Sequence, residues 1–139
     1  MSAERESRAS LLRIGVRINA VLSLLMGVLF VVAASAIADV IRLDIDYWIV
    51  VFGFVLIGHA VALVLIQKTS NLVRWTWVNL AIIAPYSLVM ISLAIAVVEP
   101  ADGKMLVALD GILVGAVAVL QFLGIRSAAA PKRELKRSS

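Results

Sequence analysis

Apolar residues fill this chain in four long blocks, Ile18 to Val40, Tyr47 to Ile66, Trp75 to Val98 and Met105 to Ile125, with short charged joints between them. The hydrocarbon core of a bilayer is roughly 30 Å thick, so about 20 consecutive apolar residues in an α-helix cross it, and each block has that length. The pattern predicts an all-α integral membrane protein, with residues 1–139 forming a single transmembrane domain. The joints, Ile41 to Asp46, Gln67 to Arg74 and Glu99 to Lys104, are short. Short joints predict that successive helices are antiparallel neighbours, an up-down-up-down four-helix bundle.

Composition narrows the class. Of 139 residues 63% are hydrophobic, which excludes a globule covered by water. The net charge of +4 raises the question of a nucleic-acid partner, and the positions of the basic residues answer it. Arg5, Arg8, Arg13 and Arg17 precede the first block, Lys68 and Arg74 lie between the second and third, and Arg126, Lys132, Arg133, Lys136 and Arg137 follow the fourth. Only Arg42 and Lys104 fall on the other side, among Asp39, Asp44, Asp46, Glu99 and Asp102. The positive-inside rule then places both termini and the second joint in the cytoplasm. Topology accounts for the basic balance, and no nucleic-acid partner is expected.

The chain has no cysteine, which excludes disulfides, thiol nucleophiles and thiolate metal sites. Its arginine-rich start, first apolar run and Ala36-Ile37-Ala38 imitate a signal peptide with a cleavage site after Ala38. Hydrophobic regions of signal peptides are only about 7 to 15 residues, so an uncut span is the expectation. The final stretch, Ser127 to Ser139, ends in Lys132-Arg133-Glu134-Leu135-Lys136-Arg137 and reads as a disordered basic tail that anionic lipid attracts.

Arg13 and Arg17 stand one turn apart and read as interfacial anchors whose stems lie along the membrane surface. Trp48, Trp75 and Trp77 fall at block ends, where aromatic belts form. In lipid, helices gain no hydrophobic drive by meeting, so small residues mark packing faces. Gly111 and Gly115 form such a step in the fourth block, and Gly58 and Ala62 form one in the second, both expected inside the bundle. Pro85 lies mid-block, where its missing N–H predicts a bend. Asn19 and Asn79 each precede an acid, Asp39 and Glu99, by twenty residues, which raises a two-span internal repeat as one reading.

His59 and Asp110 are the acid or base groups well inside the blocks, and such residues are functional-site hypotheses by default. Counted from the outer ends of their blocks, His59 lies about 18 Å deep and Asp110 about 8 Å, too far apart for a direct hydrogen bond. Asn79 and Gln121 lie at similar depth near the cytoplasmic face, about 6 Å and 8 Å in, and are placed to bond across helices. With Asn19 they form a candidate polar vestibule. No phosphate loop, nucleophile elbow, metal-binding pair or dinucleotide fingerprint is present. An enzyme is not expected, and neither is a cofactor or a metal.

The segment Leu12-Arg13-Ile14-Gly15-Val16-Arg17-Ile18-Asn19-Ala20-Val21, with Gly27 and the closing Ala118-Val119-Leu120-Gln121-Phe122-Leu123-Gly124-Ile125-Arg126, resembles a loose group of small, uncharacterised four-span bacterial inner-membrane proteins. The resemblance covers most of the chain, implies a bacterial cytoplasmic membrane and transfers no active site. Two functions compete. The leading one is a non-enzymatic accessory or structural subunit that packs against another membrane protein through small-residue faces. The other is a homo-oligomeric small transporter or channel in which His59, Asp110 and the Asn79/Gln121 level line a path.

Overall fold

The first apolar block does not form one helix. In the computed structural model, which describes the backbone of residues 2–99 and 101–129 and the side chains of 10–99 and 101–128, it is divided at Ala33. The elements are α1 (Ser2–Val32), α2 (Ala34–Ile41), α3 (Asp46–Ile66), α4 (Leu72–Ala96) and α5 (Ala101–Ala129), with no strand among the described residues. Four of these helices are long and apolar enough to cross a membrane, over Ser10–Val32, Asp46–Ile66, Leu72–Ala96 and Ala101–Ala128. The chain is therefore a multi-pass membrane protein by the length and composition of its helices. Most of its large apolar side chains, such as Leu25, Phe54, Leu88 and Ile112, point outward, as lipid permits and water does not.

The break at Ala33 moves the first span about eight residues toward the N-terminus relative to the block Ile18 to Val40. α2 is amphipathic. Ala34, Ile37, Ala38 and Ile41 are buried at helical spacing, and re-aiming the helix at Ala33 lays that stripe on α3 and α5. Arg42 ends α2 in the left-handed conformation, φ 54°, and the N–H of Leu43 reaches back to Ala38 O at 3.2 Å.

Helix packing follows the glycines. A Cβ on Gly27 would meet Gly53 O at 2.8 Å, and one on Gly53 would meet Gly27 O at 2.8 Å, so α1 and α3 cross backbone to backbone there. Leu12 lies on Gly124 and Gly15 on Gln121, joining α1 to α5 in opposite sense. Ser87 lies on Gly111 and Gly115, joining α4 to α5. The contacts order the long helices as a curved row, α3 against α1, α1 against α5, α5 against α4, whose two ends approach where Phe52 meets Tyr86. Joint length had predicted every successive pair as neighbours, but α3 and α4 share no extensive interface. A short joint ties two helix ends together and leaves their flanks free.

Two further expectations need correction. Gly58 and Ala62 face outward, and a Cβ on Gly58 would meet nothing, so this step does not close the bundle. The close approach on α3 is at Gly53, about 140° round the helix from Gly58. Ser127 and Ala128 belong to α5 instead of a disordered tail, which continues the C-terminal helix for another turn. The rest of that tail, residues 130–139, lies outside the described residues. α4 runs on through Pro85, which faces outward.

Candidate functional site

Buried polar side chains cluster where α1, α4 and α5 meet. Asn19 and Ser23 come from α1, Asn79 and Ser87 from α4, and Asp110 and Gln121 from α5, with the half-buried Tyr86 of α4 beside them. Asn19 and Ser23 are four residues apart, Asn79 and Tyr86 seven, and Asp110 and Gln121 eleven, each close to a whole number of turns, so each helix turns one polar edge inward. Gln121 is 0% exposed, and Asn79 donates from Nδ2 to Gln121 Oε1 at 2.8 Å. Ser23 Oγ donates to Asn19 Oδ1 at 3.4 Å. Tyr86 donates its hydroxyl to Asp110 Oδ2 at 2.5 Å, a short bond across α4 and α5. Ser87 Oγ donates to Gly111 O at 2.6 Å, exploiting the gap that Gly111 and Gly115 leave.

Two spaces meet at Tyr86 and Asp110. On the inner side is a small, partly open cavity of about 30 Å³, lined by Asn19, Ser23, Tyr86 and Asp110 together with apolar residues such as Leu56 and Val114. On the other is a groove of about 590 Å³ between α3 and α4, lined almost wholly by apolar and aromatic side chains including Trp48, Phe52 and Val89. Phe52 stacks on Tyr86 with ring centroids 5.5 Å apart, bridging the parted helices at this point. The Tyr86–Asp110 pair is thus a wall shared by an inner cavity with four polar side chains and an apolar, outward-facing cleft.

One side chain from each long helix carries a buried polar atom without a hydrogen-bond partner: Asn19 Nδ2, His59 Nε2, Asn79 Oδ1 and Gln121 Nε2. By helical rise these residues lie roughly 10 to 14 Å from the same end of the row. That end carries the α3–α4 joint, as the contact of Leu12 with Gly124 and the bond from Arg17 Nε to Gln67 Oε1 at 3.2 Å fix. A buried polar atom left unpaired costs about 1–3 kcal/mol, so this level has bonding capacity that helix pairing does not use.

The structure brings Asn79 and Gln121 into direct contact and sets Asn19 on the cavity wall. His59 is half-buried on α3 and lines neither space, and Asp110 is bonded to Tyr86. Arg13 faces an open recess of about 790 Å³ at the helix ends with Arg74 and Trp77. Trp48, Trp75 and Trp77 are exposed, and Trp77 meets Phe122 edge-on with Arg126 above the same ring. Tyr86 and Ser23 were missed in the sequence. Their signal was angular: each shares a helix edge with a polar residue already singled out. Among the described residues no group of acids and histidines is placed to hold a metal.

Compared with models of known protein families, with curated proteins and with solved structures, the chain matches none.

Proposed function

We propose that this chain is a non-enzymatic small transporter or channel of a bacterial cytoplasmic membrane, an up-down-up-down four-helix bundle with both termini in the cytoplasm. The orientation rests on the eleven Lys and Arg residues that precede the first apolar block, lie in the second joint or follow the fourth block. One observation carries the functional reading: Tyr86 and Asp110 stand between a small cavity that Asn19 and Ser23 also line and a groove that opens outward. A carboxyl inside a membrane is expensive, and packing alone gives no reason for it. From Asp110 the polar groups continue through Ser23 and Asn19 to the Asn79–Gln121 level, over about 16 Å of helix.

The test is flux. Protein reconstituted into liposomes should move alkali cations or protons faster than empty liposomes, and Asp110→Asn and Tyr86→Phe should each slow this by about tenfold or more. Absence of wild-type flux, or folded variants that conduct like wild type, would sink the reading. His59→Leu, lying off the two spaces, should slow flux less than either.

A second reading, an accessory subunit, is favoured by one feature. Gly58 and Ala62 present a small-residue step to the outside with open space above it. Native mass spectrometry of gently extracted protein that finds a foreign subunit at fixed stoichiometry, lost in Gly58→Leu, would bring this reading forward.

A further inference from the structure

We propose that the small cavity between the four long helices binds one bare monovalent cation of about sodium's size through the side-chain oxygens of Asn19, Ser23, Tyr86 and Asp110, which come from α1, α4 and α5. The proposal deepens the transport reading by naming what the polar file handles. Size is the first constraint. The cavity measures about 30 Å³, whereas one water requires roughly 10–15 Å³ on the same measure. About two or three water-sized bodies fill it, so it admits a bare ion with one or two waters and is too small for a fully hydrated ion.

Donor chemistry is the second constraint. The polar side chains on the wall offer a carboxylate, a phenol, a hydroxyl and an amide, with no imidazole or thiolate, a set that suits hard cations. Tyr86 donates to Oδ2 of Asp110, which orients the carboxylate and leaves Oδ1 available. The phenol oxygen keeps its lone pairs while donating, and so does Ser23 Oγ as it donates to Asn19 Oδ1. The amide oxygen of Asn19 accepts that one bond and retains a second lone pair. Three helices thus present oxygen from different directions, and the existing hydrogen bonds fix the orientation of each donor.

Charge is the third. Asp110 is the one ionisable acid on this wall besides the phenol of Tyr86, and no Lys, Arg or His lines the cavity. Asp110 is 4% exposed, with Leu22, Met26 and Leu113 around the cavity, so its charge is screened weakly and a counter-charge is attracted strongly. A single positive charge neutralises the site. A divalent ion would leave an uncompensated charge inside the membrane.

Thermal unfolding of the full chain in detergent, followed by tryptophan fluorescence, tests this at constant ionic strength and pH with N-methylglucamine chloride as the inert salt. Sodium chloride should raise the wild-type Tm by about 3 to 8 °C for each tenfold increase above Kd. Asp110→Asn should abolish the response. Ser23→Ala, which removes one ligand and no charge, should require about tenfold more sodium, equivalent to one lost hydrogen-bond-sized contact. Ser87→Ala should respond as wild type, because its hydroxyl serves Gly111 outside the cavity. Equal wild-type Tm in sodium and N-methylglucamine, the result if Asp110 simply holds a proton, overturns the proposal. An equal response to magnesium, or a full response in Asp110→Asn, does so too. Sodium-dependent stability without liposome flux would keep the site and remove the transport reading, whereas flux without a sodium effect would do the reverse.

Discussion

The pairs α1/α3 and α4/α5 both close on small residues, yet they close differently. Toward the C-terminal end of α1 and in the first half of α3, Gly27 and Gly53 bring two backbones together, with apolar Val31 and Ile57 beside them. Along α4 and α5 the same steric device, Gly111 and Gly115, admits Ser87, and the seam also carries the Tyr86–Asp110 and Asn79–Gln121 bonds. The first pair shows that a helix crossing here requires no polar side chain. The polar groups of the second are therefore surplus to that device, and two of them, Tyr86 and Asp110, line the cavity.

Four experiments would break or sharpen that contrast. The largest effect is expected at the dry crossing: Gly27→Val or Gly53→Val places side-chain atoms where a carbonyl oxygen already sits, and should cost about 3 kcal/mol in reversible unfolding from mixed micelles. Tolerance of both would mean that the glycines do not close this seam. Next, Asp110→Leu leaves the Tyr86 hydroxyl unpaired and should cost about 1–3 kcal/mol, most of it recovered when Tyr86→Phe is added, because removing both partners is nearly neutral. If the double variant is no better than the single one, the pair is not the cause. A double-mutant cycle on Asn79→Leu and Gln121→Leu should give a coupling of about 0.6 kcal/mol, and a value above about 1.7 would make this bond a structural mainstay. Smallest of all, Gly58→Leu should change the stability of the isolated chain by less than about 0.5 kcal/mol, since its side chain would enter open space.

The four long helices could be read directly because apolar length is a one-dimensional property, and the chain displays it without interruption. The break at Ala33 could not, since Val32-Ala33-Ala34-Ser35 contains neither proline nor glycine and the bend is set by where the α2 stripe lands. Lateral order was hidden for a different reason. Joints limit distances between helix ends, while the row α3, α1, α5, α4 is decided by which flanks carry glycine. Counting depth set Asn79 level with Gln121, and the two are bonded. Depth without angular phase overlooked Tyr86 and Ser23, which sit one or two turns from Asn79 and Asn19 on the same edges. The same omission put Gly58 inside, because small-residue spacing does not say which way the step faces.

The parting of α3 from α4 has a mechanical consequence. A cleft of about 590 Å³ walled by hydrocarbon will be occupied by whatever hydrocarbon surrounds the protein, because bare apolar walls forfeit their dispersion contacts. Acyl tails are then a fifth packing element wedged between the two helices beside Phe52 and Tyr86. Tail length and stiffness set how far the wedge drives, so the composition of the bilayer becomes part of what determines the shape of this protein.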